Sequence, residues 1–272
     1  SFPTRRSSDL IEVLCLRSSK RERQIMIYFY IIVFLMHIME TITGFGSTSI
    51  GIPFLALAVG TEASLLLMST AGMVLCLIVL ITQYKKVQVK EFMIILACIL
   101  PVMPIGFLLY TKLRTTEWIL RLIMGFVITL VSGREIWRRL VQKDRSDPPA
   151  WLIYFSLAAG ALLQGMLSIG GALINVYALN RIKDKGAFRA TMVSVWLVSN
   201  SFILLFRVFY LQAFTPAIWL ALLYSLPLIF IAFYLGNKLH KKVPNQAFAN
   251  LVYLIQLAGG LISIVSGLSL LI

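Results

Sequence analysis

Charged residues are scarce in this sequence. Asp, Glu, Lys and Arg make up only 13% of its 272 residues, against about 25% in soluble domains, while 59% are hydrophobic. A water-soluble fold would leave more apolar surface exposed than a chain of this length could bury. The composition therefore indicates an integral membrane protein that sits in a lipid bilayer.

Cysteines and nucleotide-binding motifs are also scarce. Cys15, Cys76 and Cys98 are scattered along the chain and offer neither a disulfide framework nor metal-ligand spacing. We interpret all three as ordinary apolar residues and expect no metal and no cofactor. The sequence has no Gly-x-x-x-x-Gly-Lys-Ser/Thr phosphate loop, which argues against ATP as an energy source.

The net charge of +14 would suit a nucleic-acid-binding protein, but the positions of the basic residues argue otherwise. They occur in short runs between apolar spans, as the topology signals of membrane proteins do. We therefore expect the basic loops to face anionic lipid headgroups, and we expect no nucleic acid partner.

The first 25 residues do not share the pattern of the rest. The stretch SFPTRRSSDL resembles translated sequencing-adapter sequence, and Met26 directly precedes the first apolar run. An apolar core of only 10–16, interrupted by Glu12, is too short for a signal peptide. We expect residues 1–25 to be a non-native or disordered basic arm.

Two stretches with glycines and small hydroxyl residues, each inside an apolar segment, resemble each other. They run over 40–53 and 164–177 and superpose at an offset of 124 residues. Further matches follow in both halves: Leu100-Pro101 with Leu226-Pro227, Lys112-Leu113 with Lys238-Leu239, and Val131-Ser132-Gly133 with Val265-Ser266-Gly267. This similarity predicts an internal duplication, with membrane repeats at 26–140 and 151–272 and a linker at 141–150.

Each half is predicted to hold one long segment, at 26–59 and 151–180, followed by three ordinary spans. The spans lie near 62–83, 91–110 and 118–140 in the first half and near 187–206, 215–236 and 246–270 in the second. The long segments exceed the roughly 20 residues of one span and fall short of two. A hairpin that re-enters the membrane and turns at the glycines fits their length.

The distribution of Lys and Arg favours hairpins in both halves. Four basic loops would then share one side: 85–90, 134–145, 181–189 and 238–242. They carry fifteen Lys and Arg, against three on the opposite side, whereas segments that crossed once would give nine on each side. The positive-inside rule therefore places the four loops in the cytoplasm. If the arm is native, an arrangement in which only the second segment folds back is the alternative.

With both hairpins, the halves enter the membrane from opposite sides. The predicted fold is an all-α integral membrane protein of two inverted repeats, each with a broken or re-entrant helical hairpin plus three transmembrane helices. Paired interruptions of this kind point to a transport site near the midplane, because free backbone is tolerated there only inside protein or beside a polar cavity.

Glu40 is the only carboxylate deep within an apolar segment. His37 and Glu40 lie three residues apart and share a helical face. An ionisable group there costs at least about 2.5–3.5 kcal/mol on insertion scales, so we interpret both as candidates for proton coupling or gating. The alternative is that Glu40 reaches water or caps backbone near the hairpin tip.

The two hairpin tips are the candidate anion-binding site, because a half-helix that starts there presents free amides and a positive dipole end. The candidate residues are Gly44, Gly46, Ser47, Thr48, Ser49, Ser168, Gly170 and Gly171. Ser47, Thr48 and Ser49 are predicted to cap the first half-helix. The alternative for all of them is close helix packing through small residues.

Polar residues in the next helices could line the same cavity. The candidates are Thr70, Ser194 and Asn200, for which interhelical hydrogen bonding is the alternative role. Arg189 opens its helix near the predicted membrane surface, and we interpret it as a topology charge.

The duplicated pattern resembles the TauE/SafE family of sulfite and organosulfur anion exporters over residues 28–268. The family has a Gly-rich stretch followed by an apolar run to Pro, once per half, before a helix with a Gly-Thr-Ser-like stretch. The matching positions are Phe45-Gly46-Ser47-Thr48 with Pro53, Ile169-Gly170-Gly171-Ala172, Ser69-Thr70 and Val193-Ser194. Ser47, Thr48 and Ala172 stand where the family has glycines, and Tyr177 where it has the second proline.

The resemblance implies a secondary transporter that exports a small anion, such as sulfite, a sulfonate or another organic anion, by alternating access. It implies a multi-pass protein of the plasma (inner) membrane. The hydroxyl-rich tip leaves the identity of the transported anion open. The sequence also leaves open the direction of transport, the coupling ion and whether the protein forms a homo-oligomer. The alternatives are an intramembrane enzyme resembling polyprenyl-diphosphate phosphatases and a membrane scaffold without transport activity.

Overall fold

The structure is a computed structural model that describes residues 20–141, 149–212, 214, 216–242 and 245–271. Within these ranges it contains eleven α-helices and one short 3-10 turn, Tyr84–Lys86. The helices are α1 (Lys20–Thr43), α2 (Ser47–Val59), α3 (Thr61–Gln83), α4 (Val89–Ile99), α5 (Met103–Leu113), α6 (Glu117–Val141), α7 (Ala150–Leu167), α8 (Gly171–Arg181), α9 (Lys185–Phe209), α10 (Pro216–Lys242) and α11 (Asn245–Ser269).

The prediction for the termini and linker is tested only in part. Residues 1–19 of the predicted arm and 142–148 of the predicted linker lie outside the described residues. Residues 20–25 of the predicted arm form the first turns of α1, which begins at Lys20.

Four of the described helices are long and apolar enough to cross a membrane. They are Gln24–Thr43, Thr61–Lys86, Lys185–Phe209 and Ile218–His240. The pair α4 and α5 makes a fifth if it counts as one broken span, bent by 43°. The predicted span at 91–110 falls on this pair, which is broken in the middle rather than continuous. Pro101 and Pro104 lie at the bend, where each removes a backbone donor from the helix.

The predicted span at 118–140 forms α6, but this helix is not among the four. Arg121 lies near its start, and Arg134, Glu135 and Arg138 follow towards its end. Only the twelve residues between Arg121 and Arg134 are free of charge, which is fewer than a span requires.

Both long segments fold back on themselves. The Tyr28 hydroxyl of α1 donates to the Phe54 carbonyl of α2 at 3.1 Å. In a continuous helix 26 residues would separate these groups by about 39 Å. In the second segment, a Cβ on Gly160 of α7 would lie 3.0 Å from the amide nitrogen of Ile174 in α8. The helices on each side of both breaks therefore pack antiparallel.

The two halves pack in matching ways. Helix α1 contacts α10 and α7 contacts α5, whereas α3 pairs with α9 and α6 pairs with α11. Thr41 and Gly165 are 124 residues apart and so occupy equivalent positions in the two halves. Each lies in close contact with a residue of the other half. A Cβ on Gly236 would lie 2.5 Å from the Cβ of Thr41, and a Cβ on Gly165 would collide with the Met103 carbonyl oxygen.

The helix ends form two separate groups. At one end, the Gln88 amide donates to the Thr191 hydroxyl at 3.0 Å, and the Lys185 ammonium donates to the His240 carbonyl at 3.2 Å. This group contains the loops that follow α3 and α8 and the C-terminal end of α10, and we call it the basic end. At the opposite end, Arg114 pairs with Glu62 at 3.5 Å.

Candidate functional site

Each break begins with a residue in a left-handed backbone conformation. Helix α1 is followed by Gly44, with φ of 83°, and α2 is preceded by Gly46, with φ of 106°. Both φ values favour glycine, because a Cβ is strained there. Helix α7 is capped at its C-terminus by Ser168, with φ of 56°, in the position equivalent to Gly44. A residue in the left-handed conformation therefore follows the first helix of both hairpins, at equivalent positions.

The two breaks meet at one cavity. Its lining residues come from both halves: Glu40, Phe45, Gly46, Thr48, Ser49, Gln164, Gly171, Trp196 and Asn200. About 300 Å³ of space lies between the lining atoms, part of it open to solvent, and the free volume accommodates about one water molecule. None of these lining residues is Lys, Arg or His.

Trp196 joins the two breaks. Its indole nitrogen donates to the Gly44 carbonyl oxygen at 2.9 Å, which satisfies a free acceptor at the end of α1. The same ring lies against the second break, where a Cβ on Gly171 would be 3.5 Å from it. A single side chain of α9 therefore contacts both hairpin tips.

A buried amide network holds the second break. The Gln164 side chain donates to the Asn200 side-chain oxygen at 2.9 Å and accepts from the Gly170 amide at 3.1 Å. Glu40 occupies the equivalent position in the first half, and its carboxylate oxygen lies 4.0 Å from the Cys76 sulfur. Both pairs are 36 residues apart in sequence, so the halves build the same contact from different side chains.

The helix start at the first break differs from the prediction. Gly46 is the N-terminal capping residue of α2 and no side chain caps the helix. The predicted cap by Ser47, Thr48 and Ser49 is therefore wrong, because Gly46 in its left-handed conformation already occupies the cap position. Since the first helical bond runs from the Ile50 amide to Gly46, the amides before Ile50 precede the hydrogen-bonded turns.

At the second break, only part of the predicted set of free amides remains. The Gly170 amide bonds to Gln164, so it is not available to a ligand. Gly171 lines the cavity at the start of α8, where the Ile174 amide bonds to Gly170. Two helix N-termini, those of α2 and α8, thus border one cavity.

Glu40 lies in the interior with one carboxylate oxygen unpartnered. It is 5% exposed, and its Oε2 atom has no hydrogen-bond partner among the described residues. His37 is fully buried, but its Nδ1 atom bonds to the Val33 carbonyl at 2.6 Å, within α1. His37 does not line the cavity, whereas Glu40 does.

The predicted site residues separate into two groups. Those that line the cavity are Glu40, Gly46, Thr48, Ser49, Gly171 and Asn200. Those that lie beside it or elsewhere are His37, Gly44, Ser47, Thr70, Ser168, Gly170 and Ser194. The Ser194 hydroxyl donates to Ala190 within its own helix at 2.9 Å, and the Thr70 hydroxyl has no described partner.

Sequence reasoning missed five residues of the site. They are Phe45, Cys76, Gln164, Trp196 and Gln256. Gln164 carried a usable signal, because it aligns with Glu40 in the duplicated stretch. Gln256 of α11 donates to the Ser49 hydroxyl at 3.2 Å, and nothing in the sequence marked it.

Arg189 also differs from its prediction as a surface charge. Helix α9 begins four residues earlier, and Arg189 is 1% exposed. Its Nη2 atom donates to Asn237 at 2.7 Å, and its backbone packs directly against Gly44. It is therefore a buried cation at the first break.

A comparison with family models finds one match, described as "Sulfite exporter TauE/SafE", over residues 29–263. The match spans both breaks and every residue that lines the cavity. No curated protein and no solved structure matches the chain.

Proposed function

The chain belongs to the sulfite exporter TauE/SafE family, a family of membrane transporters, and on that premise we propose that it is a secondary transporter of a small anion. The anion class is a sulfur oxyanion, a sulfonate or a small carboxylate. The observation that carries the proposal is the convergence of two helix N-termini on one cavity lined from both halves. Family membership also favours a non-enzymatic role.

The cavity recognises its anion through dipoles and neutral donors. The starts of α2 and α8 supply free amides and the positive ends of two helix dipoles. Thr48, Ser49 and Asn200 add polar side chains. Because no cation lines the cavity among the described residues, the anion is held without a fixed counter-ion, which suits release as well as binding.

Glu40 is the coupling group of this proposal. A carboxylate beside a bound anion repels it unless a proton is shared between them. The unpartnered Oε2 atom of Glu40 in the cavity wall is placed for that proton. Binding of the anion and uptake of a proton by the pair would therefore occur together, which couples transport to the pH gradient. His37 lies three residues before Glu40 on α1 and stays a candidate gating residue, with its Nδ1 atom bonded to the Val33 carbonyl.

The matched contacts of the halves support an inverted repeat and alternating access. Equivalent helices either pair with each other, as α3 with α9 and α6 with α11, or exchange partners between halves, as α1 with α10 and α7 with α5. This is the pattern that a pseudo-twofold axis produces. The narrow cavity corresponds to a nearly closed state, from which tilting of one half against the other opens either side.

The grouping of the helix ends supports the orientation. The loops that follow α3 and α8 meet the C-terminal end of α10 at the basic end, and under the positive-inside rule this supports a cytoplasmic location for that end in a plasma (inner) membrane protein. The tip of the first hairpin lies towards the basic end, beside Arg189 and His240, although its segment starts from the opposite end. Export from the cytoplasm would then begin at the basic end.

The test is an uptake panel in proteoliposomes. Sulfite, thiosulfate, sulfoacetate, sulfate and small carboxylates are supplied with and without a pH gradient. We expect saturable movement of one of these classes, accelerated by the gradient. Protein that is folded and inserted but moves none of them would contradict the proposal and leave the scaffold alternative. Phosphate release from a lipid diphosphate, abolished by Ser47→Ala, would instead support the enzyme alternative.

A further inference from the structure

Two buried arginines lie on the face of α9 that passes the cavity. Arg189 precedes Trp196 by seven residues, and Arg207 follows Asn200 by seven residues. Seven residues are close to two turns, so each arginine shares the face of a cavity residue at about 10 Å along the helix axis. The order along this face is cation, cavity, cation.

Arg207 makes fewer hydrogen bonds than Arg189. It is 2% exposed, and its Nε, Nη1 and Nη2 atoms have no hydrogen-bond partner among the described residues. The Tyr110 ring covers it at 5.7 Å from the guanidinium carbon. Glu62 is close enough for an electrostatic interaction with Arg207, but its carboxylate is already paired with Arg114 at 3.5 Å. A buried guanidinium without acceptors is unfavourable, and an oxyanion is the ligand that matches its donors.

Arg189 occupies the corresponding place at the basic end. Its Nη2 atom bonds to Asn237, but its Nε atom has no described partner. Lys86, Lys185 and His240 surround this end, where the Lys185 ammonium reaches the His240 carbonyl at 3.2 Å. The Lys86 and Lys185 ammonium groups would draw an anion towards Arg189 and so towards the first break.

We propose that this face of α9 is the path of the anion, with Arg189 and Arg207 as two binding stations on opposite sides of the central cavity. The inference rests on the proposed transport function and adds the route. An anion that leaves Arg189 reaches Trp196 within about two helical turns, and Arg207 lies about two turns beyond Asn200 at the far side of the cavity. Small oxyanions suit this route, because they can accept several guanidinium hydrogen bonds at once.

The experiment measures half-saturating sulfite concentrations separately at the two membrane faces, in vesicles of known orientation. Arg207→Gln is expected to raise that concentration about tenfold or more at the face opposite the basic end, the loss typical of a charged hydrogen bond. At the basic face, the half-saturating sulfite concentration of this variant should stay within about twofold of the wild-type value. Arg189→Gln is expected to give the reverse pattern. Lys112→Gln, which removes an exposed cation at the same end as Arg207 and leaves the Arg114–Glu62 pair intact, is the matched control.

Unchanged values at both faces for both variants, or equal changes at both faces, would overturn the proposal. Folding gives a second measurement: Arg207 has no described hydrogen bond to lose, so the thermal midpoints of Arg207→Gln and Arg207→Lys should not fall. Loss of folded protein in both variants would assign Arg207 a structural role instead. Altered retention of anionic lipid with unchanged sulfite values would identify a lipid phosphate as its ligand. Failure of the wild type to move sulfite or any other anion would reject the transport function itself.

Discussion

The Trp196 indole nitrogen donates a 2.9 Å hydrogen bond to the Gly44 carbonyl oxygen, across 152 residues of sequence. Gly44 ends the first broken helix, and the Trp196 ring also lies against Gly171 at the start of the second half-helix. The two breaks are thus held by one side chain of a third element. Any movement of one break relative to the other must change a contact of Trp196.

Trp196→Phe keeps a large ring and removes the donor to Gly44. We expect a loss of about 0.5–1.5 kcal/mol in stability, the usual net value of one hydrogen bond. The rate of anion transport should fall more strongly, because the first break loses its alignment. Thermal melting and proteoliposome flux measure the two effects. Trp151→Phe is the control, since Trp151 is 69% exposed. Wild-type flux in Trp196→Phe would contradict the bridging role.

Glu40→Gln removes the exchangeable proton and preserves the size of the side chain. We expect folded protein whose anion flux no longer responds to a pH gradient, because the coupling group is lost. Flux is measured at matched anion gradients with and without the pH gradient. Glu62→Gln, which alters a half-exposed carboxylate in an ion pair with Arg114, should keep the response. A pH response that survives in Glu40→Gln would assign coupling to another group.

Gly170→Ala places a methyl group against the Gly160 carbonyl oxygen. We expect destabilisation of about 1–3 kcal/mol from overpacking and a loss of flux, because α8 must move away from α7. The comparison is Gly133→Ala in α6, where an added Cβ has no neighbour within 4 Å. The measurement is the melting temperature of each variant in the same detergent. Equal stability of the two variants would show that the second break is looser than the structure indicates.

Gln164 can be tested with two substitutions that separate stability from transport. Gln164→Leu leaves the Gly170 amide and Asn200 without their partner and should cost about 1–3 kcal/mol. Gln164→Glu can still accept from the Gly170 amide, so it should fold better than the leucine variant. It also adds a second carboxylate to the cavity, which should weaken anion affinity. Transport by Gln164→Glu at wild-type affinity would exclude direct contact between this position and the anion.

The orientation can be tested by cysteine labelling. With Cys15 and Cys98 replaced by serine and buried Cys76 retained, Lys183→Cys should react with an impermeant thiol reagent only from the cytoplasmic side. Glu62→Cys should react only from the outside, because it lies at the opposite end from the basic loops. Labelling of position 183 only from the outside would reverse the assignment of the basic end and the proposed direction of export.

The local features of the site could be predicted from the sequence, whereas the contacts between its different helices could not. The breaks at Gly44–Gly46 and near Ser168 follow from glycines and small residues within apolar runs, and the structure confirms that helices end there. The cap by Ser47 was predicted from residue type and is wrong, because a left-handed Gly46 precedes the helix. The bend between α4 and α5 had a signal in two prolines that was not used.

Composition and residue order are enough to predict the helical membrane character of the chain, the two helix breaks and the unequal distribution of charge. These properties depend on composition and on neighbours along the chain. The packing of the helices was needed to show that Trp196 of α9 contacts both breaks, that Asn200 lines the cavity and that Arg207 is buried without a described hydrogen bond. Helices in a bilayer choose their partners through close contacts such as Gly165 with Met103, and these have no periodic signature in the sequence.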